Sequence, residues 1–125
     1  MTHPALTPPG LHRDRLRVLR DGAPRPAGPV VLWMQQAQRV HENPALAHAL
    51  AIGAALDRPV AVVFALTPAY PEATARAYAF LLEGLRGVRD ECRRRGIGFA
   101  AALLLNQKLP GQAVMRSLVL LPWVL

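Results

Sequence analysis

Apolar and polar residues alternate along the chain in blocks rather than singly. Val30-Val31-Leu32-Trp33-Met34 is a continuous, largely β-branched apolar run between Pro29 and the polar stretch Gln35-Gln36-Ala37-Gln38-Arg39. Such a run predicts a strand buried on both faces. Asn43-Pro44 then signals a helix start: an Asn side chain accepts from free first-turn amides, and Pro at the next position gives up no helical hydrogen bond. The following body, Ala45 to Leu56, is almost wholly apolar, with Leu46, Leu50 and Ala54 as the expected inner stripe and Asp57-Arg58-Pro59 as its end. Val60 to Leu66 reads as a second strand buried on both faces, closed by the turn Thr67-Pro68-Ala69-Tyr70-Pro71. A long helix is predicted from about Glu72 to Arg95, because Tyr78, Leu81, Leu85, Val88 and Cys92 recur at helical spacing. Glu83/Arg86 and Asp90/Arg93 have ion-pair spacing on its other side, Arg93-Arg94-Arg95 suits the negative end of the helix dipole, and Gly96 is a natural left-handed cap. Ile97 to Leu105 predicts a third strand.

Strand–helix–strand–helix–strand, with connections of this length, implies parallel strands joined by right-handed crossovers. The expected fold is therefore α/β, a Rossmann-like open parallel sheet with flanking helices, the sheet lying between its two helices. In such sheets a ligand sits at the carboxyl ends of the strands, here the loops after Met34 and Leu66. Three segments are expected: an irregular arm over 1–29, a partial α/β domain over 30–105, and an atypical hydrophobic tail over 106–125. Repeated prolines break the arm, Leu11 to Leu19 offers it one short helical turn, and Arg13, Arg15, Arg17, Arg20 and Arg25 make it basic. A solvated, partly docked extension accounts for it.

Composition narrows the chemistry. With 52% apolar residues in 125, the chain has enough material for a core. Its formal charge is +7, carried by arginine except at Lys108. Basicity of this kind tolerates phosphate partners without establishing one. Cys92 is the lone cysteine, which excludes an internal disulfide and a multi-cysteine metal site and suits a reducing cytoplasm, the expected location. No uncharged apolar run approaches the roughly 18 residues of a membrane span, and Thr2 to Gly10 holds prolines where a signal peptide would be apolar. Gln35 to Asn43 contains no glycine, so a phosphate-cradling loop is disfavoured. His3, His12, His41 and His48 lack metal-ligand spacing, and Ser117 lacks the glycines of a nucleophile elbow. What remains is the group Gln35, Gln38, Arg39 and Asn43, which combines amides with one fixed cation where a ligand would sit. The same residues could instead hold the loop and cap the helix.

The order of residues in these blocks resembles a known family. Val31-Leu32-Trp33-Met34-Gln35, then Gln38-Arg39, then Asn43 with Ala45-Leu46, is similar to the opening of class II cyclobutane pyrimidine dimer DNA photolyases. A second block continues the likeness: Pro59-Val60, Val62, Phe64, Leu66, Tyr70-Pro71, Ala73, Arg76, Tyr78, Phe80, Leu82, Gly84-Leu85, and finally Gly96-Ile97 and Phe99. Arg13, Arg15 and Arg17-Val18-Leu19 resemble the lead-in, so the likeness covers roughly 13–99. The Trp-Met-Gln loop is what points to class II.

The resemblance implies an N-terminal α/β domain that, in the family, precedes a longer helical domain binding FAD and the flipped-out dimer in damaged DNA. Light excites reduced flavin, which donates an electron and splits the dimer, a carbon–carbon lyase reaction. It further implies that the α/β domain can hold an antenna chromophore (deazaflavin, flavin or folate). Met34, Gln35, Gln38, Arg39 and Asn43 are then the expected antenna contacts. No catalytic or metal-binding residue is expected here, and the chain alone is expected to lack repair activity.

The likeness fades after Phe99, and the tail from 100 ends in Leu118-Val119-Leu120-Leu121-Pro122-Trp123-Val124-Leu125. The expectation drawn from this is a truncated gene product, read out of frame after about residue 100, with self-association through exposed apolar surface. Alternatives are a non-catalytic chromophore- or nucleotide-binding module, a cryptochrome-like light sensor, or an inactive gene fragment.

Overall fold

A computed structural model describes residues 13–67 and 70–103. The expected tail, together with Pro68 and Ala69, lies outside them. Among the described residues of the arm, 13–29, Arg13–Arg15 forms a 3-10 turn and no further helix or strand precedes Val30. The elements that follow are β1 (Val30–Trp33), α1 (Pro44–Leu56), β2 (Val60–Leu66), α2 (Ala75–Arg94) and β3 (Gly98–Leu103).

The three strands are parallel in the order β1-β2-β3. Val30 lies opposite Val60 and Leu32 opposite Val62, while Val62 also faces Phe99 across the second pair. These residues share one face of the pleat, and that face carries the core. Leu46 and Ala49 of α1 and Val88 and Cys92 of α2 bury against Val60 and Val62 in a single cluster, with Val30, Leu32 and Phe99 at its margin. Both helices therefore cover the same side. The expectation of a sheet between its helices is corrected here, and strand order is the reason. Two right-handed crossovers that step in the same direction return their helices to the same face.

Burial on both faces of the strands is corrected for the same reason. Val31 on the second face is 38% exposed, and Ala61 and Val63 beside it are only half-buried. Ala65, on the same face at the end of β2, is buried at 2% exposure.

Local chemistry sets the helix ends. The Asn43 side chain accepts from the Leu46 amide at 3.1 Å, and Pro44 opens α1. At its other end Asp57 takes a left-handed conformation, with Arg58 N–H donating to the Gly53 carbonyl at 2.8 Å. The inner stripe is Leu46, Ala49 and Gly53 rather than Leu46, Leu50 and Ala54; Leu50 and Ala54 are exposed. A helix that is apolar all round gives no period from which to choose a face. The helix approaches the sheet most closely at Gly53, where a Cβ would lie 2.8 Å from the Val60 side chain and 2.9 Å from the Arg58 carbonyl.

The long helix begins three residues later than expected, because Thr74 caps it, its hydroxyl accepting from Ala77 N–H at 3.2 Å. Leu85, Val88 and Cys92 are buried as the spacing predicts, with Tyr78 and Leu81 half-buried. Gly96, at φ +69°, ends it. Ile97 N–H donates to the Cys92 carbonyl at 2.9 Å and Gly96 N–H to the Arg93 carbonyl at 3.2 Å, the paired bonds of a Schellman cap. The ion pairs differ from those expected: Asp90 pairs with Arg89, and Glu91 with Arg94 and Arg95.

Candidate functional site

A cleft of about 210 Å³ opens at the carboxyl ends of β1 and β2. Three segments build it. Gln35 and Gln38, from the loop after β1, form one side; Phe64 to Thr67, at the end of β2, form the floor; Tyr70, Ala73, Ala77, Tyr78 and Leu81 close the other side. No lining residue carries a formal charge.

Hydrogen bonds fix both sides. Trp33 Nε1 donates to Gln35 Oε1 at 2.8 Å, and Gln35 Nε2 makes a long contact of 3.4 Å to the Ala65 carbonyl. Gln38 Nε2 donates to the Gln35 carbonyl at 2.8 Å. Opposite them, Tyr78 Oη donates to the Thr67 carbonyl at 2.6 Å and accepts from Tyr70 N–H at 3.0 Å. The result is an apolar floor, two tyrosine rings and a rim of side-chain amides. Flat aromatic molecules with polar edges suit that combination.

Of the five residues expected from the sequence, the structure brings two, Gln35 and Gln38, to the cleft. Met34 is only 3% exposed and packs in the core, its N–H continuing the sheet to the Val63 carbonyl at 2.9 Å. Arg39 turns its guanidinium to the Glu42 carbonyl, at 3.3 Å from Nε and 3.2 Å from Nη2. Asn43 is buried and holds the loop, with Nδ2 donating to the carbonyls of Ala37 at 3.1 Å and Arg39 at 2.8 Å.

Sequence reasoning missed the opposite side. Tyr70 lies in the turn after β2, one of the two loops singled out as the ligand edge, so its position was the available signal. Tyr78 was assigned to the core stripe, where helical spacing alone puts it.

Two other groups have shifted acidities. Burial, followed by the neighbouring Glu91 carboxylate, pushes the Cys92 thiol up, with Arg95 partly offsetting. Hydrogen bonds from Arg94 and then Arg95 hold the Glu91 carboxyl below its ordinary value. Glu91 Oε1 also lies 3.6 Å from His41 Nε2. Arg95 reaches His41 Nδ1 at 3.1 Å, so this cluster ties the connection before α1 to the end of α2. No group of three metal-ligating side chains occurs among the described residues. No helix among them is long and apolar enough to cross a membrane.

Parallel topology, helical crossovers and a neutral cleft at the strand ends define an α/β unit of Rossmann-like type. Residues 30–116 match the sequence profile of the DNA photolyase family, and the chain belongs to it. A deoxyribodipyrimidine photo-lyase of Methanothermobacter thermautotrophicus is 46% identical over 88 residues, covering 70% of this chain and 20% of that protein. The protein of the same name from Oryza sativa subsp. japonica is 42% identical over 88 residues, covering 69% and 17%. That of Thermus thermophilus is 36% identical over 90 residues, covering 72% and 19%. The matched region thus spans about a fifth of the length of these relatives.

Proposed function

We propose that this chain is the antenna-type α/β module of a class II deoxyribodipyrimidine photolyase, and that its cleft takes a flat chromophore. One observation carries the reading. The family match spans the sheet, both helices and the cleft, yet the matched region amounts to a fifth of relatives named deoxyribodipyrimidine photo-lyase. The Trp33-Met34-Gln35 loop supports class II.

The residues fit such a group. Phe64, Tyr70 and Tyr78 offer ring surface, and Gln35 and Gln38 offer amide edges without charge. Pockets that enclose a drug-sized ligand run to about 300–1,000 Å³. At 210 Å³ the cleft accepts a ring system and leaves any substituent outside. Deazaflavin, flavin and folate all present such a ring. Met34, Arg39 and Asn43 contribute by shaping the loop that carries the two glutamines. When bound, the chromophore would absorb near-ultraviolet or blue light and pass the excitation to FAD. Light-driven electron transfer from reduced FAD to the pyrimidine dimer is assigned to the remainder of the parent enzyme, and no residue of this chain is assigned to FAD or to damaged DNA.

The test is a repair assay. Purified chain is supplied with each candidate chromophore, its absorption recorded, and dimer-containing DNA illuminated with blue light. The expected result is a bound near-ultraviolet or visible band with no dimer splitting. Splitting by this chain alone would place the chemistry in the wrong part of the enzyme.

A further inference from the structure

We propose that Tyr70 is the platform on which the ring of the bound chromophore stacks, and that Tyr78 is the positioning residue that holds it there. The inference rests on the cleft being the chromophore site. Tyr70 is 67% exposed, yet it lines the cleft from a turn rather than from a helix or strand. An aromatic ring in such a place is ordinarily free to swing with its backbone. Here the backbone is fixed at both ends of one residue. Its N–H donates to Tyr78 Oη at 3.0 Å, and its carbonyl accepts from Ala73 N–H at 3.1 Å.

Tyr78 is itself well anchored. It lies one turn into α2, its N–H bonded to the Thr74 carbonyl at 3.1 Å. Its hydroxyl uses its proton on the Thr67 carbonyl at 2.6 Å and a lone pair on Tyr70 N–H. One phenol thereby joins Thr67, the residue after β2, to the turn, and holds the Tyr70 backbone beside the floor of the cleft. Across the cleft Gln38 uses an Nε2 proton on the Gln35 carbonyl; its Oε1 meets no donor among the described residues and can receive one from a ring edge. Face contact at Tyr70 and edge contact at Gln38 are complementary demands that one flat heteroaromatic ring meets.

Riboflavin is a suitable probe, because it carries the ring without a phosphate and the cleft has no cation. An excited flavin takes an electron from a stacked phenol and returns it on relaxing, so stacking shortens the bound fluorescence lifetime. Affinity is read by anisotropy and stacking by lifetime, with folding of each variant checked by circular dichroism. Tyr70→Ala is expected to weaken binding about tenfold, the equivalent of about 1.4 kcal/mol. Tyr70→Phe is expected to keep the affinity within about twofold, since the ring face remains, while lengthening the lifetime. Tyr78→Phe keeps its own ring and loses only the two hydrogen bonds. It is expected to weaken binding about fivefold and lengthen the lifetime, because Tyr70 is released. Folded Tyr70→Ala or Tyr78→Phe with wild-type affinity and lifetime would overturn the proposal while leaving the cleft as the site. A wild-type chain that does not bind riboflavin at all would overturn the cleft reading, and this inference with it.

Discussion

Asn43 satisfies three backbone groups with one side chain. Its oxygen takes the Leu46 amide, and its nitrogen serves the carbonyls of Ala37 and Arg39. Asn43→Ala removes the cap and leaves two partly buried carbonyls without that donor, an expected loss of about 1–3 kcal/mol in denaturant melts. Unchanged stability would show that the loop carrying Gln35 and Gln38 is held by other contacts. The cap was legible from Asn43-Pro44, because capping is a local rule. The two carbonyl contacts were not, since they depend on the path of the loop. Tyr70 could be placed at the ligand edge from its loop, but the bond that holds it could not, since its N–H is taken by a hydroxyl eight residues away.

At the scale of elements, α2 was readable and α1 only partly so. Polar and apolar residues alternate around α2, so its buried stripe follows from spacing; α1 lacks that contrast, and its inner face was decided by which residues are small enough. The last turn of α2 also carries a pH dependence. Hydrogen bonds from Arg94 and then Arg95 hold the Glu91 carboxyl below its ordinary pKa in the folded chain. A carboxyl depressed on folding contributes stability above its unfolded value, and loses that contribution as pH falls through the folded value. Denaturant melts of Glu91→Gln and the parent chain should therefore differ most near about pH 7 and converge below about pH 4. A gap that stays constant across that range would mean that the pairing seen with Arg94, Arg95 and His41 does not persist in solution.

Among the described residues, the number and direction of the strands followed from the sequence, whereas the side on which each helix lies did not. Hydrophobic period reports whether a residue is buried, and not where the next strand is added. The order β1-β2-β3 puts α1 and α2 on one face and leaves Val31, Ala61 and Val63 on the other. It also ends β1 at Trp33, opposite Val63, while β2 runs on to Leu66, and the cleft opens between the loops that follow these two staggered ends. A second cavity, of about 410 Å³ and lined by Asp57, Arg58, Arg95 and Gly96 among others, supplies an internal control. Amide chemical shifts of the isotope-labelled chain during riboflavin titration distinguish the two directly. Shifts concentrated at Gln35, Gln38, Leu66, Tyr70, Ala77 and Tyr78 are the predicted result; shifts concentrated at Asp57, Arg58, Arg95 and Gly96, or none at the carboxyl edge of the sheet, would contradict it.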